Sequence, residues 1–302
     1  MPIAATILTV NMVLTNKIVW ALEKKQLPAL LSWSFFMKVS ELTTYLDELL
    51  EAHDFKDASY NGLQVAGPKE VKKIATACTA SLEAIDTAIE AGADTLIVHH
   101  GLFWKGADPR LVGNYFLRVK ALVEGKLNLV AYHLPMDAHK EFGNNAFLAH
   151  ILGGDVVDYI TPGDKNSIGM RVKLSEPLTV KEIAAILCHR LDTKVSLLGN
   201  ITEDMMIDDL AVCSGSGSSL LDNDKQPTFQ ALITGDANEQ TYHMAMETGT
   251  LVFVVGHHAS EQEAINLLGE HLADKFKLKH CPIHFAYEKS VPTYCIDTDE
   301  DF

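Results

Sequence analysis

Short apolar runs alternate with amphipathic segments between Ile74 and Asp137. The runs KIATACTAS, ADTLIVHHG and LNLVAYHLPMD predict β-strands, and we expect the last one to continue into a loop. The segments between them, LEAIDTAIEAG and GNYFLRVKALVEGK, have the spacing of amphipathic helices, and Gly92 is placed to end the first. This β-α-β-α-β order indicates a parallel sheet.

A similar alternation returns in the second half of the chain. DLAVCSGSGSS, QALITGD and TLVFVVGHHASE predict strands, the last again running into a loop, and NEQTYHMAMETG predicts a helix. Residues 220–229 fill the first crossover, which Pro227 makes irregular. Cys78-Thr-Ala-Ser in the first half aligns with Cys213-Ser-Gly-Ser in the second. We therefore expect an α/β fold of two similar lobes with mainly parallel sheets, related by a weak internal repeat.

These patterns divide the chain into three regions. Residues 37–160 are expected to form the first α/β lobe and residues 161–302 the second, with an extra β-α-β piece in SIGMRVKL, TVKEIAAILCHRL and KVSLLG. Residues 1–36 are expected to be a leader outside the fold, because polar residues interrupt their apolar runs well before a membrane-spanning length. Met37 opens MKVSELTTYLDELLEAHD, which predicts the first helix with Ser40 as its N-cap.

The composition changes this picture in two ways. Hydrophobic residues make up 47% of the 302 residues and the net charge is −15, which indicates a globular core and disfavours a nucleic-acid partner. The five cysteines are an odd number without a Cys-x-x-Cys pair, so neither a disulfide framework nor a zinc ribbon is expected. A reducing compartment, the cytoplasm, is the simplest interpretation.

Histidines and acids follow the predicted strands at the edge where parallel strands end. His99 and His100 close the second strand, and the same spacing separates His133 from Asp137 and His257 from Glu261. Because the carboxyl ends of parallel strands form the usual site of an open α/β sheet, these side chains are expected to converge between the lobes. The candidate ligands are His99, His100, His133, Asp137, His257 and Glu261.

Four imidazoles and two carboxylates are too many donors for one tetrahedral ion. They suit two ions about 3.5–4 Å apart with a bridging carboxylate, and the absence of a thiolate favours zinc, iron or manganese. A single histidine at a strand end is more often structural, but the paired spacing favours a metal site. His258 is expected to point away from His257. If the chain is extended at His99 and His100, their side chains should also diverge, and binding to two separate ions or a turn at Gly101 would reconcile them with one site.

Five motifs together resemble those of the Nif-three-like family, whose bacterial members are also known as GTP cyclohydrolase 1 type 2 homologues. The motifs are YNGLQV, VHHGLFWKG, YHLPMDAHKEFGNN, ITGDANEQ and GHHASEQEAI, and the match runs from about Met37 to the end of the chain. The resemblance implies two α/β lobes, a dinuclear metal centre between them and a homohexameric ring. It also implies that five of the six candidates are ligands and that His133 lies near the metals. Where the family often has TGE, this chain has Gly235-Asp236, which makes an orienting role of that acid less secure.

Two functions fit these expectations. In the first, the protein is a metal-dependent hydrolase in which a metal-activated hydroxide attacks a small cyclic or phosphorylated molecule, and Glu261 or Asp137 shares the proton. The resemblance suggests a purine nucleotide, since opening of the GTP imidazole ring has been proposed for the family. In the second, a metal-loaded ring acts as a binding, chaperone or regulatory protein without catalysis.

Three further features have two interpretations each. The segment CSGSGSSL, Cys213–Leu220, is either a phosphate-binding turn or a tight connection. Phe103 and Trp104 either stack on a substrate or pack in the core. Asn144 and Asn145 either contact substrate or, as we expect, cap the next helix.

Overall fold

The computed structural model describes residues 37–221 and 228–285. The predicted leader, the crossover around Pro227 and the end of the chain therefore lie outside the described residues. Within the described ranges, no helix has the length and apolar character needed to cross a membrane.

The strands predicted from the sequence occur in the predicted order, together with others that the pattern did not predict. They are β1 (Met37–Lys38), β2 (Gly62–Val65), β3 (Glu70–Val71), β4 (Lys73–Thr79), β5 (Thr95–His100), β6 (Asn128–Ala131), β7 (Gly154–Tyr159), β8 (Met170–Thr179), β9 (Ser196–Leu198), β10 (Met206–Cys213), β11 (Ala231–Thr234), β12 (Leu251–Val254) and β13 (Lys279–Pro282).

The α-helices lie between these strands. They are α1 (Val39–Leu49), α2 (Leu82–Glu90), α3 (Gly113–Glu124), α4 (Leu134–Ala138), α5 (Asn144–Ile151), α6 (Val180–Leu191), α7 (Glu239–Thr248) and α8 (His257–Phe276). Gly92 follows the C-cap of α2 with a φ of +67°, as predicted for a glycine that ends a helix. Helix α1 begins earlier than predicted, with Lys38 rather than Ser40 as N-cap, because the chain enters the helix directly from β1.

The first sheet is mainly parallel, as predicted. Its order is β13-β4-β5-β6-β2, and every pairing except that of β2 with β6 is parallel. Alternate residues of its strands face opposite layers of helices. Ala75 and Leu96 pack with α2 and α3, whereas Ile74 and Ile97 pack with α1 and α8.

The second sheet is mixed, which corrects the prediction of a mainly parallel sheet. Its order is β7-β8-β10-β11-β12-β9, and three of its five pairings are antiparallel. The extra β-α-β piece explains the difference, because its strands β8 and β9 flank the parallel strands β10, β11 and β12 in antiparallel orientation. The molecule is therefore a mixed α/β fold, in which the first sheet contains four consecutive parallel strands and the second contains three.

Two segments predicted as loops are helices. After β6 the chain enters α4, where Pro135 occupies one of the first two helical positions, which favours a helix start. After β12 it enters α8, whose buried residues Ala264, Leu268 and Leu272 have helical spacing and pack against the first sheet. Helix α8 thus begins at the end of the second sheet and runs onto the first, which brings both sheets to one cluster of polar side chains.

Candidate metal centre

Both histidines of the adjacent pair reach the same carboxylate. They are the last residues of β5, and their ring centroids lie 4.5 Å apart. His99 Nε2 lies 3.5 Å from Glu261 Oε1, and His100 Nε2 lies 3.4 Å from Glu261 Oε2. The expected divergence of the two side chains is therefore absent, since each ring approaches a different oxygen of Glu261.

The two acids of the cluster are buried. Asp137 is 5% exposed and Glu261 is 3% exposed. Asp137 Oδ1 accepts hydrogen bonds from Asn144 Nδ2 (2.7 Å) and Ser214 Oγ (2.9 Å), which fix its carboxylate. It lies 3.7 Å from His99 Nε2, so the end of the first sheet and helix α8 each place an acid beside this imidazole.

His133 is held by an acid that the sequence patterns missed. His133 Nδ1 donates to Asp57 Oδ1 (2.8 Å), and the other oxygen of Asp57 accepts from the backbone N–H of Leu134 (2.8 Å). Asn61 of the YNGLQV motif donates to Asp57 Oδ2 (3.1 Å) and accepts from the backbone N–H of His133 (2.9 Å). The motif that supported the family resemblance thus positions a histidine, but its sequence alone does not reveal the neighbouring Asp57.

His257 is held in the same way at the end of the second sheet. Its Nδ1 donates to Asp236 Oδ2 (2.6 Å), and its Nε2 lies 3.4 Å from Glu261 Oε2, one helical turn later. The shortened acid at Gly235-Asp236 therefore does orient a histidine. His258 points elsewhere, as predicted, because its Nε2 pairs with Gln262 Oε1 (2.8 Å).

All four candidate histidines share one arrangement. In each of them the Nδ1 atom has a protein partner. His99 Nδ1 donates to the carbonyl of Tyr132 (3.1 Å), and His100 Nδ1 lies 3.2 Å from Thr79 Oγ1. The Nδ1 atoms of His133 and His257 pair with Asp57 and Asp236. A ring that donates through Nδ1 has its free lone pair on Nε2. Protein partners on the rear nitrogen are the usual support for metal-binding histidines.

Three overlapping groups of donor atoms are close enough to hold a metal ion. The donor atoms of each group lie within 4.8 Å of one another. The groups are His99 with His100 and His133, His99 with Asp137 and Glu261, and Cys78 with His100 and Glu261. His257 is outside these groups but contacts Glu261.

The cluster creates a strongly negative potential at His99. Burial disfavours its protonation, but the charges of Asp137 and Glu261 outweigh burial and raise the pKa of His99 to about 9. Burial and the neighbouring His99 lower the pKa of His100 to about 3. Burial opposes ionisation of Glu261 as well, yet His99 and the other imidazoles lower its pKa to about 2. The surroundings therefore favour a positive charge between the carboxylates.

The glycine-rich turn supports the cluster through hydrogen bonds and close packing. The backbone N–H groups of Ser214, Gly215 and Gly217 already donate to Asn145 Oδ1, Ser260 Oγ and Thr234 Oγ1. Gly215 has a φ of +59°, and a Cβ there would lie 2.5 Å from Glu261 Oε1. A glycine is needed here because the turn passes directly over the carboxylate.

The two asparagines after α4 are buried supports of Asp137, not helix caps. Gly143 is the N-cap of α5, whereas Asn144 donates to the carboxylate of Asp137 and Asn145 to its backbone carbonyl. Both side chains are fully buried. Helix capping was the wrong choice because α5 starts one residue earlier than the pattern suggested.

The chain is similar to a recognised family over most of its length. The family model described as Duf34/NIF3 (NGG1p interacting factor 3) matches residues 37–290. The "GTP cyclohydrolase 1 type 2 homolog" of Pseudomonas aeruginosa is 37% identical over 248 residues, which cover 81% of this chain and 97% of that relative. Its counterpart from Escherichia coli K12 is 39% identical over 242 residues, covering 80% and 96%.

Solved structures agree with this assignment. The protein ybgI, described as of unknown function, is 38% identical with a TM-score of 0.77 and covers 82% of this chain and 98% of its own. TTHA1606 from Thermus thermophilus is 32% identical with a TM-score of 0.73, again covering 82% and 98%. The resemblance inferred from the five motifs is confirmed, and the chain belongs to the Duf34/NIF3 family.

Proposed function

We propose that the protein binds two divalent metal ions and is a metal-dependent hydrolase of a small cyclic or phosphorylated substrate. The observation that carries the proposal is the common arrangement of the four histidines, whose Nδ1 atoms are engaged while the donors gather around Glu261. The names of the relatives, GTP cyclohydrolase 1 type 2 homologues, support this class of reaction and make a purine nucleotide the first substrate to test.

The cluster fits a metal by its chemistry. His99 Nε2 is a buried nitrogen with no hydrogen-bond partner among the described residues, at 3.5 and 3.7 Å from two carboxylates. A buried polar atom without a partner costs free energy unless another group satisfies it. A cation between His99, Asp137 and Glu261 would satisfy all three. Imidazole and carboxylate donors suit zinc, iron or manganese.

The oxygens of Glu261 indicate how two ions would share the ligands. Oε1 faces His99, which also faces Asp137, whereas Oε2 lies 3.4 Å from both His100 and His257. Glu261 is therefore the residue that would hold both ions. His133 is placed beside His99 and His100, with ring centroids 5.0 and 5.6 Å away, and would complete either set.

The protein's own residues would prepare the reaction around these ions. Divalent ions held here would supply Lewis acidity, activating water and polarising the bond to be hydrolysed. Glu261 and Asp137 are the proposed catalytic residues, because a carboxylate beside the ions could accept a proton as well as bind metal. Asn144 and Ser214 keep Asp137 in one orientation through hydrogen bonds of 2.7 and 2.9 Å.

Metal content and turnover test the proposal. Protein purified with Mn²⁺, Zn²⁺ or Fe²⁺ should contain about two ions per chain by elemental analysis. It should then hydrolyse at least one compound in a panel of nucleotides, phosphodiesters and cyclic small molecules. Glu261→Gln should lose both ions and all turnover, since Glu261 faces both ligand sets.

Glu263→Gln is the matched control. It makes the same change on the same helix, but Glu263 pairs with His284 (3.2 Å) outside the cluster, so metal content and turnover should stay as in the unchanged protein. Fewer than one ion per chain after metal-replete purification would refute the dinuclear centre. Full loading with no turnover on any compound would favour the binding, chaperone or regulatory role.

Association into a homohexameric ring is part of the same proposal. Apolar side chains on and just before α3 are exposed in the chain, which supports contact with other copies. They are Leu111, Val112, Phe116, Leu117 and Val123. Light scattering should give a mass of about six chains, and Phe116→Asp should lower it.

A further inference from the structure

A cavity of about 470 Å³ opens beside the metal cluster. His100 and His257 of the cluster line it, together with Lys194, Ser196 and Asp236. Its volume is in the range of small-molecule sites. A substrate bound here would therefore lie beside histidines of the cluster and beside Lys194.

Lys194 is a cation on the wall of this cavity. Among the described residues it forms no hydrogen bond or ion pair, and the described walls of the cavity contain no other lysine or arginine. Several other lysines are engaged, as Lys165 is with Glu51 and Asp54. In a chain with 40 acids and 25 bases, a lysine without a partner among the described residues offers the cavity a positive charge for an anionic group. The acid that also lines the cavity, Asp236, is paired with His257.

The backbone around Lys194 is fixed relative to the cluster. Thr193 Oγ1 donates to the carbonyl of Val255 (2.9 Å), and Ser196 pairs with Val254 where β9 meets β12. From the end of β12 the chain passes through Gly256 to His257, the first residue of α8. Lys194 and the cluster are thus attached to the two sides of one strand pair, so the distance between them does not depend on a loose loop.

The start of α8 adds a second positive contribution. Gly256, His257 and His258 line the cavity, and α8 runs for 20 residues away from it. The first turn of a helix leaves backbone N–H groups without intrahelical partners and carries the positive end of the helix dipole. A phosphate in the cavity would meet this helix end together with the Lys194 ammonium and the Ser196 hydroxyl.

We propose that Lys194, with Ser196, binds the phosphoryl group of a phosphorylated small-molecule substrate whose reactive bond lies at the metal cluster. The identity of the reaction rests on the proposed hydrolase function, but the phosphate subsite itself does not. The glycine-rich turn, which the sequence left open as a phosphate site, uses the amides of Ser214, Gly215 and Gly217 within the protein. Lys194 lies on the wall of the cavity instead.

Titration with inorganic phosphate tests the subsite directly. Calorimetry or ³¹P NMR on the metal-loaded full chain should show about tenfold weaker phosphate binding in Lys194→Met, which corresponds to about 1.4 kcal/mol. Lys194→Arg should keep most of the affinity because the charge remains. Repeating the titration after removal of the metals by a chelator measures how much of the phosphate affinity depends on them. The lower phosphate affinity of Lys194→Met should remain after chelation.

Lys181→Met is the matched control for the loss of one positive charge. Lys181 is exposed, pairs with Glu203 (3.7 Å) and lies outside the cavity, so phosphate affinity should not change. Equal phosphate binding by the unchanged protein and Lys194→Met would overturn the subsite, as would equal weakening in Lys181→Met.

Kinetics distinguish the subsite from the proposed reaction. With any phosphorylated substrate found in the panel, Lys194→Met should raise KM about tenfold and leave kcat nearly unchanged, because Lys194 contacts no reacting bond. A matched substrate without the phosphate should show no KM change. A lower kcat with unchanged KM in Lys194→Met would overturn the assignment. If the unchanged protein binds no metal but Lys194→Met still weakens phosphate binding, the hydrolase proposal alone is refuted.

Discussion

The two His-x-x-x-acid segments have the same spacing but different surroundings. In the first, the side chain of His133 is 21% exposed and its supporting acid, Asp57, is 1% exposed. In the second, the side chain of His257 is 39% exposed and its supporting acid, Asp236, is 49% exposed. The first histidine is therefore held from the protein interior, whereas the second is held from the solvent side.

The two supporting acids therefore have different roles: Asp57 stabilises the surrounding chain, whereas Asp236 lies where the site is open to solvent. Asp57 accepts four hydrogen bonds, including two from backbone N–H groups, so it organises the chain as well as the histidine. Asp236 accepts from His257 and Ser216 only among the described residues, and both Asp236 and His257 line the cavity. We infer that the second segment forms the side of the site where substrate enters.

Asp57→Asn should have the largest effect. An amide can present its oxygen to one pair of donors only, so its NH₂ group would face backbone N–H groups or His133 Nδ1. The free energy of unfolding should fall by about 2–4 kcal/mol and metal affinity by about 100-fold. Denaturant unfolding and metal titration measure the two changes. A smaller loss of stability than in Asp236→Asn would contradict the comparison.

Gly215→Ala should have the next largest effect, because it places a Cβ 2.5 Å from Glu261 Oε1 and 3.2 Å from His257 Nε2. Glu261 is buried and cannot retreat, so metal affinity should fall by about 10–100-fold.

Gly92→Ala is the matched control for this substitution. Gly92 also has a positive φ (+67°), but a Cβ there would meet nothing within 4 Å. Both variants should lose about 1–2 kcal/mol of stability through backbone strain, and only Gly215→Ala should lose metal in a titration. Equal metal affinity in the two variants would show that the turn does not position Glu261.

The ligand candidates could be predicted from sequence because they follow strands. His99, His100, His133 and His257 each lie at or shortly after the end of a strand of the parallel core, where the fold concentrates polar residues. Their supports could not be predicted in the same way. Asp57 lies several residues before β2, and 76 positions of sequence separate it from His133. No local sequence pattern spans that separation.

Local patterns also failed where a helix began at the site itself. The pattern predicts that the strand before His257 ends in a loop at GHHASE. The helical spacing of α8 becomes visible only when the apolar positions as far as Leu272 are included. The mixed second sheet had a similar cause, since strand periodicity gives no direction of pairing. Both the start of α8 and the antiparallel pairings of the second sheet depend on contacts between distant parts of the chain.

Asp236→Asn should have a moderate effect that is confined to metal binding. The pair of Asp236 with His257 is partly exposed, so its loss should change the free energy of unfolding by less than about 1 kcal/mol. Metal affinity should fall by about tenfold because a neutral amide oxygen is a weaker acceptor than a carboxylate and orients His257 less firmly. Metal titration beside Asp57→Asn measures the contrast, and an effect on affinity as large as that of Asp57→Asn would remove the distinction between the two segments.

Cys78→Ala should have the smallest effect, although Cys78 Sγ lies 3.9 Å from both His100 Nδ1 and Glu261 Oε2. The thiol lies near the nitrogen that His100 turns towards Thr79, and burial, followed by the charge of Glu261, raises the pKa of Cys78 well above its usual value. The thiol should therefore stay protonated, with metal affinity changed by about threefold or less. Cobalt-loaded protein should show no thiolate charge-transfer band, and a band that disappears in Cys78→Ala would make Cys78 a ligand of the buried half of the site.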